Sequence, residues 1–412
     1  MTITADTPTT TRTSSVARMG FTTDRATLAD ALTTVGLAIS KRPVVPMLGG
    51  ALLQARDGHL TITGTDYDTT VTVRLPGTVD TPGTLLLDHG ELTKLLGALV
   101  KGTRKRDADA LAVTVRTLDN GTPVVDLAGY TMPVTDFPAE EYPTMPGAGP
   151  TVAQVDRDTF ARDMARVMVA VGTDDALPML TGVHLDIAPG AVTMAGTDRY
   201  RLAMAPLPAV STTGIGETVA ALIPGHLVAP VVKRFTGDRV RIGLDDSTNP
   251  GVVSLTCGHV TVSVRTIDAV FPPYRQLIPG SAAGVIQTDR AALLAATQRA
   301  AAVLDAKRQR GGQVIVTFTG TSVSVAPALE EHADTVTAPE QPATVDGVTS
   351  PERFWFSPAF FADALTSFTG DTITLHTQAS VHRPVLLTDA ADGLTTDAAF
   401  RHLIMPVRSP GN

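Results

Sequence analysis

The sequence contains few of the features that mark a disulfide-rich, membrane-spanning or nucleic-acid-coating protein. Cysteine occurs once, at Cys257, which excludes a disulfide framework or a zinc site built from cysteines and fits a reducing cytosol. No apolar run approaches the ~18 residues that a membrane-spanning helix needs. The net charge of −8 argues against a protein that coats nucleic acid with its whole surface. These absences predict a soluble, cytoplasmic globular protein.

Signatures of catalysis are also scarce. The chain has no phosphate-binding P-loop and no His-Glu-x-x-His motif, and the segment 214–216 lacks the third glycine of a dinucleotide-binding turn. Cys257 and His259 are close in sequence, but the pattern does not favour a nucleophilic pair. Asp66 and Asp68 leave a metal site open, although turn and surface roles are commoner for such pairs. We therefore predict a protein that is not an enzyme and that holds no cofactor and no metal.

What the sequence does contain is an internal repeat. Its 412 residues are enough for two or three domains, and a unit of about 133 residues recurs three times along them. Each copy is expected to begin with a helix at the Asp-Arg motif. The recurring motifs are Asp-Arg at 24, 156 and 289, Gly-Thr-Asp at 64 and 196, and Met-Pro-Val at 132 and 405.

Each copy follows the same predicted order of elements. An amphipathic helix opens it, a second helix lies midway, and short alternating strands between Gly, Pro and Asp-Gly turns fill the rest. Pro230 is expected to kink the second helix of the middle copy or to delay its start. Two helices and about eight strands in each copy indicate an α+β fold. The apolar helix positions are Leu28, Leu32, Val35 and Ile39; Leu92, Leu95, Leu96 and Leu99; Phe160, Met164, Val167, Met168 and Val171; 227–235; Leu293, Leu294, Thr297, Ala301 and Leu304; and Phe360, Phe361, Leu365 and Phe368.

The distribution of charge suggests what such a repeat could bind. The predicted helices and their basic flanks carry a net positive charge, although the whole chain carries −8. Helices from the three copies would then form a positive face that contacts phosphates without reading sequence. Basic residues on ordinary solvated helix faces are the alternative that charge alone leaves open.

Motifs in every copy point to one known family. The chain resembles the bacterial DNA polymerase III β subunit, the sliding clamp, over about 19–408. The segments that carry the resemblance are 42–49 (Arg-Pro-Val-Val-Pro-Met-Leu-Gly) and 61–66 (Thr-Ile-Thr-Gly-Thr-Asp) for the family's first domain, 180–183 (Leu-Thr-Gly-Val) and 197–203 (Thr-Asp-Arg-Tyr-Arg-Leu-Ala) for the second, 271–275 (Phe-Pro-Pro-Tyr-Arg) for the junction into the third, and 405–408 (Met-Pro-Val-Arg) for the closing motif.

The resemblance implies three similar DNA clamp domains in tandem, which close into a six-domain ring around duplex DNA as a head-to-tail homodimer. Such a ring can bind phosphates weakly, slide, and still tether a polymerase. Its expected partners are duplex DNA of any sequence, and DNA polymerase subunits and a clamp loader that bind through short apolar peptides. The expected organisation is a disordered tail at 1–18, clamp domain 1 at 19–144, clamp domain 2 at 150–270, clamp domain 3 at 273–408 and a C-terminal extension at 409–412.

By the same resemblance, partner peptides dock in a groove between domains 2 and 3. Arg199 and Tyr200 stand where the family usually has Gly-His, which predicts a narrower and more positive rim. The segment 409–412 extends past the family's usual end, so a position across the groove is open to it. The residues that match the groove are Leu180, Thr197, Arg199, Tyr200, Arg201, Leu202, Pro272, Leu277, Met405, Pro406, Val407 and Arg408.

Two further surfaces are expected, one for DNA and one for the second subunit. At the ring interface, Val303 and Leu304 of domain 3 match the family's apolar contact, opposite Leu127 of domain 1. Gly129 stands where a larger apolar residue is expected, which leaves the strength of the dimer open. Arg42 matches a basic residue of the family, and helix position and charge add Lys94, Lys101, Arg104, Lys105, Arg106, Lys233, Arg234 and Arg299 as DNA-facing residues.

Two other functions stay open at this point. One is a specialised second copy of the clamp, whose altered groove confers resistance to a groove-directed antibiotic. The other is a monomeric adaptor that binds peptides and never encircles DNA. The mass of the species in solution separates the adaptor from the ring.

Overall fold

The computed structural model describes residues 18–143, 147–329, 335–348, 351–390, 393–394 and 400–408. The predictions of a disordered N-terminal tail and of an extension at 409–412 therefore lie outside the described residues, apart from Arg18. The chain divides into two compact units, 1–145 and 146–412. Among the described residues, no helix is long and apolar enough to cross a membrane.

The unit 1–145 is an α+β fold. Its elements are β1 (Gly20–Asp24), α1 (Arg25–Val35), β2 (Gly50–Arg56), β3 (His59–Thr65), β4 (Thr69–Pro76), β5 (Thr78–Thr81), β6 (Gly83–Asp88), α2 (His89–Ala98), α3 (Lys105–Asp109), β7 (Ala112–Thr117), β8 (Pro123–Leu127), β9 (Tyr130–Pro133) and β10 (Asp136–Phe137). Two antiparallel sheets run in the order β5-β1-β7-β8-β9 and β10-β6-β2-β3-β4. Helix α1 packs against strands of both sheets and buries Leu28, Leu32 and Val35 between them.

The unit 146–412 repeats this construction twice. Its elements are β11 (Thr151–Asp156), α4 (Arg157–Met168), α5 (Pro178–Thr181), β12 (Gly182–Ala188), β13 (Ala191–Thr197), β14 (Arg201–Thr212), β15 (Val219–Pro224), α6 (Gly225–Val232), β16 (Arg239–Leu244), β17 (Val252–Cys257), β18 (Val260–Arg265), β19 (Gly284–Asp289), α7 (Arg290–Ala306), β20 (Val314–Phe318), β21 (Ser322–Pro327), β22 (Glu340–Asp346), β23 (Glu352–Phe356), α8 (Pro358–Thr366), β24 (Thr372–Thr377), β25 (Val385–Thr388) and β26 (Arg401–Ile404).

One long sheet joins the two repeats of this unit. Its order is β15-β12-β13-β14-β26-β25-β24-β19-β22-β21-β20-β23, and every pairing is antiparallel. The pairing of β14 with β26 places Arg201 opposite Ile404 and Leu202 opposite Leu403. The second half of β14 belongs to another sheet, ordered β14-β11-β16-β17-β18. The predicted α+β class is confirmed, and the structure adds that the sheets are mostly antiparallel.

The repeated Asp-Arg motif starts a helix in all three copies, as predicted. Asp24, Asp156 and Asp289 each accept a hydrogen bond from the N–H three residues on, at 2.8, 2.8 and 2.6 Å. An N-cap of this kind is worth about 1 kcal/mol to a helix. The arginine that follows each cap donates its backbone N–H to a carbonyl far along the chain, at 2.8, 3.0 and 2.7 Å. The motif therefore fixes both the start of the helix and its place in the unit.

Some helix ends differ from the prediction. Helix α6 begins at Gly225, so Pro230 does not delay its start. The helix runs through Pro230, which lacks the N–H for one internal hydrogen bond, and ends two residues later at Val232. The helices α1, α2 and α4 end before Ile39, Leu99 and Val171, so these apolar residues belong to the segments that follow. In α8, Phe361 is buried in the core but the neighbouring Phe360 is not, because adjacent positions of a helix face different directions.

Candidate functional site

The candidate site is built around the turn that joins β13 to β14. Thr197 donates its hydroxyl to the carbonyl of Arg201 at 2.7 Å. Asp198 Oδ1 accepts the N–H groups of Tyr200 and Arg201 at 3.0 and 2.9 Å. The counterpart turn at 65–69 in the first unit has the same pattern of hydroxyl and carboxylate bonds. Hydrogen bonds from the Thr-Asp motif therefore fix this turn.

This turn holds Arg199 in a strained backbone conformation. Its φ is +80°, in the left-handed region, and Tyr67 has the same φ at the matching position of the first unit. A residue with a Cβ pays about 1–2 kcal/mol for this conformation, whereas glycine does not. The positive φ of this position explains why glycine, which the resembled family usually has here, fits the turn. The side chain of Arg199 is exposed, and its guanidinium carbon lies 5.9 Å from the centre of the Tyr200 ring.

The next residues of the turn connect it to α8. Arg201 bridges two carboxylates, with Nε 2.8 Å from Asp198 and Nη1 2.7 Å from Asp363. Its guanidinium also lies over the ring of Phe360, 4.5 Å from the centroid. Tyr200 stacks on the same ring at 5.8 Å. The turn is therefore attached to the first part of α8 by an ion pair and by aromatic contacts.

Beside this turn, exposed apolar side chains come from the same segments of the chain as a buried apolar cluster. Leu202 and Leu403, which face each other across the β14–β26 pairing, belong to the cluster together with Phe271 and Tyr274. The N–H of Met405 donates to the carbonyl of Tyr200 at 2.8 Å. Tyr200, Leu277 and Met405 remain 51%, 49% and 37% exposed. Such a surface, apolar with a few fixed polar groups, suits the capture of an apolar peptide.

A buried carboxylate holds one side of this surface in place. Asp186, on β12, accepts hydrogen bonds from Tyr274 at 2.6 Å, from Arg275 at 3.0 Å and from the ring of His184 at 2.9 Å. The His184 ring stacks on Phe271 at 4.7 Å. Burial alone would raise the pKa of Asp186, but the hydrogen bonds from His184 and Tyr274 lower it to about 2. The carboxylate is therefore ionised at neutral pH and anchors the segment 271–275.

The structure brings some of the predicted groove residues together and places others apart. Thr197, Arg199, Tyr200, Arg201, Leu202 and Met405 meet at the β13–β14 turn and the end of β26. Pro272 and Leu277 lie in the segment that Asp186 anchors, and Leu180 is buried at the end of α5, beside Met179, which packs against the cluster. The backbone of Val407 and Arg408 bonds to other segments: the N–H of Val407 donates to the carbonyl of Trp355, and the carbonyl of Arg408 accepts from Gln313 Nε2. Pro406 connects the two sets.

Sequence reasoning missed four residues of this site: Phe360, Asp363, Asp186 and His184. The apolar spacing predicts both Phe360 and Phe361 as core positions of one helix, although adjacent residues of a helix face different directions. That adjacency was the available signal for an aromatic residue on the surface. Asp363 and Asp186 gave no local signal for their long-range contacts, because Arg201, Tyr274 and Arg275 lie more than 80 residues away. His184 bonds to Asp186 two residues along the same strand, so the alternation of β12 was the available signal for that pair.

The nine predicted DNA-facing residues are all exposed. In the first unit, Lys94 lies on α2. Lys101 and Arg104 lie between α2 and α3, and Lys105 and Arg106 lie on α3. In the second unit, Lys233 and Arg234 come directly after α6, and Arg299 lies on α7. Arg234 aside, these side chains form no ion pair with any residue that the structure describes. Their charge is thus available to an anion such as a phosphate.

The residues predicted for the ring interface differ in exposure. Leu127 and Leu304 are buried in their own units, at 2% each, whereas Val303 is 42% exposed. Leu127 alternates into the core of its sheet, and Leu304 lies on the inner face of α7, so little of either is left for a second subunit. Gly129 has a φ of +82° in the two-residue turn between β8 and β9. The turn conformation therefore accounts for the glycine.

The groups considered for catalysis have structural roles. The Cys257 thiol is buried and donates to the carbonyl of Gly237 at 3.2 Å, and burial raises its pKa. The ring of His259 bonds instead to the Thr236 hydroxyl at 3.1 Å. Asp66 Oδ1 accepts two backbone N–H groups of its own turn. Among the described residues, no cluster of His, Cys, Asp or Glu could hold a metal ion.

Comparison with known proteins gives consistent matches. Family models for the N-terminal and the central domain of the DNA polymerase III beta subunit match residues 19–146 and 154–273. The beta sliding clamp of Micrococcus luteus is 31% identical over 294 residues, which cover 70% of this chain and 89% of the relative. The beta sliding clamp homolog GriR of Streptomyces muensis is 28% identical over 394 residues, 95% of this chain and 99% of the relative. A crystal structure of the Caulobacter crescentus beta sliding clamp superposes with a TM-score of 0.81 at 21% identity, over 96% of this chain and all of the other.

Proposed function

Because the chain belongs to the DNA polymerase III beta subunit family, the bacterial sliding clamps, we propose that it closes into a ring with a second copy of itself and carries partner proteins along duplex DNA in the cytoplasm. It is a non-catalytic processivity factor, and its partners are DNA and polymerases. The observation that carries this conclusion is the match of two family models over more than half of the chain. In this proposal, clamp domains at 19–144, 150–270 and 273–408 supply the ring.

The exposed basic residues support the proposed contact with DNA. A ring needs weak, sequence-independent contacts that neutralise phosphates and still allow sliding, and lysine and arginine side chains without internal partners provide them. Arg42, Lys94, Lys101, Lys233 and Arg299 are the first candidates. For the subunit interface, the proposal rests on Val303 at the exposed side of α7.

The ring predicts that topology, and not affinity alone, holds the protein on DNA. After loading on a nicked circular plasmid by the clamp loader of the same cell, the chain should stay on the DNA in 0.5 M salt, a salt concentration that removes phosphate contacts. It should leave when a restriction enzyme cuts the plasmid once. Gel filtration of the DNA fraction before and after cutting measures both.

Sedimentation supplies the control for this test. A ring requires a species of twice the 43.0 kDa chain mass at micromolar concentration. A species of a single chain mass, combined with equal retention on circular and linear DNA, would support the monomeric adaptor and rule out the ring.

The groove predicts that an apolar peptide binds beside the β13–β14 turn. A fluorescein-labelled hexapeptide with one leucine and one phenylalanine should bind, and Met405→Ala should weaken binding by about tenfold, because about 1.4 kcal/mol of apolar contact is lost. Arg199→Glu should also change the affinity, because it reverses the charge of the rim. Fluorescence anisotropy measures binding, and both variants should sediment like the parent chain. Unchanged affinity in both would remove the groove from this position.

A further inference from the structure

The β13–β14 turn carries three charged side chains, and two of them are paired with each other. Arg201 lies 2.8 Å from Asp198 through Nε and 2.7 Å from Asp363 of α8 through Nη1. The side chains of Arg201 and Asp198 are 11% and 15% exposed, so both are largely withdrawn from solvent. The charge of Arg201 is therefore neutralised within the protein and is not offered to a ligand.

Arg199, the third charged residue of the turn, is exposed and forms no ion pair with any residue that the structure describes. Its guanidinium carbon lies 5.9 Å from the centre of the Tyr200 ring, within the range of a cation–π contact. Such a contact does not use the N–H donors of the guanidinium, which match the two oxygens of a carboxylate. The positive charge at the rim is therefore available to an anionic group.

The turn also fixes the position from which this cation extends. Backbone N–H groups of 199–201 donate to the side chains of Thr197 and Asp198, at 2.9–3.3 Å, and Arg199 keeps a φ of +80°. Tyr67 has the same φ in the unit 1–145, so the turn accepts a side chain in both units, and the charge is what distinguishes position 199. A fixed backbone reduces the entropy that the cation loses when it binds a partner.

The cation borders the apolar surface of the proposed groove. Tyr200, the next residue, is 51% exposed, and its carbonyl accepts the N–H of Met405, which is 37% exposed. A peptide whose apolar side chain rests on these two residues would bring a neighbouring side chain within reach of Arg199. A carboxylate at that place would accept charge-assisted hydrogen bonds from the guanidinium, whereas an ammonium group would be repelled.

We infer that this groove selects partner peptides that carry an aspartate or a glutamate beside their apolar anchor, and that Arg199 is the residue that recognises it. The inference rests on the proposed function, because it assigns a chemistry to the partners of the same groove. Since the ion pair forms at the exposed rim, it sets a preference among peptides and adds little to the affinity of the apolar anchor itself.

Two labelled hexapeptides that differ at one position test this inference. Each contains one leucine and one phenylalanine, and the residue beside this pair is aspartate in one peptide and asparagine in the other. Both peptides are made for each flank of the apolar pair. At one flank, the parent chain should bind the aspartate peptide about threefold to fivefold more tightly, the size of effect that an exposed ion pair gives. Fluorescence anisotropy measures the affinities, and the preference should shrink in 0.5 M salt.

Variants at position 199 show whether this preference comes from the rim. Arg199→Gln should abolish it, and Arg199→Lys, which keeps the charge, should retain most of it. Arg56→Gln removes an exposed cation of the unit 1–145 and is the matched control, in which the preference should persist. Equal binding of both peptides by the parent chain at both flanks, or a preference that persists in Arg199→Gln, would overturn the inference and leave the apolar groove in place. Failure of every peptide to bind would overturn the groove, and the inference with it.

Discussion

At pH 5, the unit 146–412 should have lost about 4 kcal/mol of unfolding free energy relative to pH 7, through two buried histidines. His376 and His402 are both fully buried and neutral. Burial lowers the pKa of His376 to about 4, and burial together with the nearby Arg201 and Arg166 lowers that of His402 to about 3. In the unfolded chain both side chains return to a pKa of about 6.5.

The direction of the effect follows from where each state takes up protons. Between pH 6.5 and about 4, the unfolded chain binds a proton on each imidazole, and the folded unit does not. Stability therefore falls as the pH falls through this window, by about 1.4 kcal/mol per pH unit for each histidine once the pH is below 6.5. The buried carboxylate of Asp186 adds nothing here, because its contribution is lost only as the pH falls from about 4 toward its folded pKa of about 2.

Trp355, the single tryptophan, lies in the unit 146–412. Urea unfolding followed by its fluorescence therefore measures the stability of this unit. His376→Gln and His402→Gln should each remove about half of the difference between pH 7 and pH 5. His382→Gln changes an exposed histidine and should leave it intact. An unchanged pH dependence in the double variant would mean that other groups carry the effect. A direct NMR titration of the two imidazoles gives an independent check if the variants fold poorly.

The second large effect is expected from Arg166→Ala, which should cost about 3 kcal/mol of unfolding free energy. Arg166 extends from α4, and its Nε donates to the carbonyl of Ser367 at 2.6 Å, while Nη1 and Nη2 lie 3.3 Å from Asp163 and Asp389. Its guanidinium carbon also lies 3.7 Å from the centre of the Phe400 ring. The substitution removes a largely buried cation and leaves a buried carbonyl without its donor.

Arg162→Ala is the matched control for this prediction. Arg162 binds the same carboxylate, with both contacts to Asp163 at 2.8 Å, but its side chain is 50% exposed. Such a pair contributes up to about 1 kcal/mol. Arg166→Lys should recover little, since an ammonium cannot reproduce the planar fork that reaches three partners. Equal shifts of the urea midpoint for the two alanine variants would contradict the special role of Arg166.

Much of the fold could be predicted because its signals are local. The caps Asp24, Asp156 and Asp289 need only the residue three places on, and alternation along a strand needs only its neighbours. The prediction that the first helix reaches Ile39 is wrong, because an apolar residue can continue the periodic pattern after the helix has ended. At Gly129 a larger apolar residue of the subunit contact is expected, because a sequence pattern does not reveal which residue of a turn must have a positive φ.

The candidate site was only partly predictable, for a different reason. Thr197 through Leu202 form one short segment whose motif is visible in the sequence. Asp186 and Asp363, in contrast, meet their partners 88 and 162 residues away, and such pairs leave no mark on either neighbourhood. The exposure of Val303 against the burial of Leu304 could likewise be decided only by the orientation of α7.

The antiparallel pairing of β14 with β26 has a consequence for the exchange of partners. Because the β13–β14 turn and the end of β26, which both border the proposed groove, belong to one hydrogen-bonded sheet, they cannot move apart without breaking that ladder. An incoming peptide would meet a pre-organised surface, so little binding energy is spent on closing it. Replacement of one polymerase by another would then depend on how fast the first peptide dissociates and on how many competing peptides are nearby.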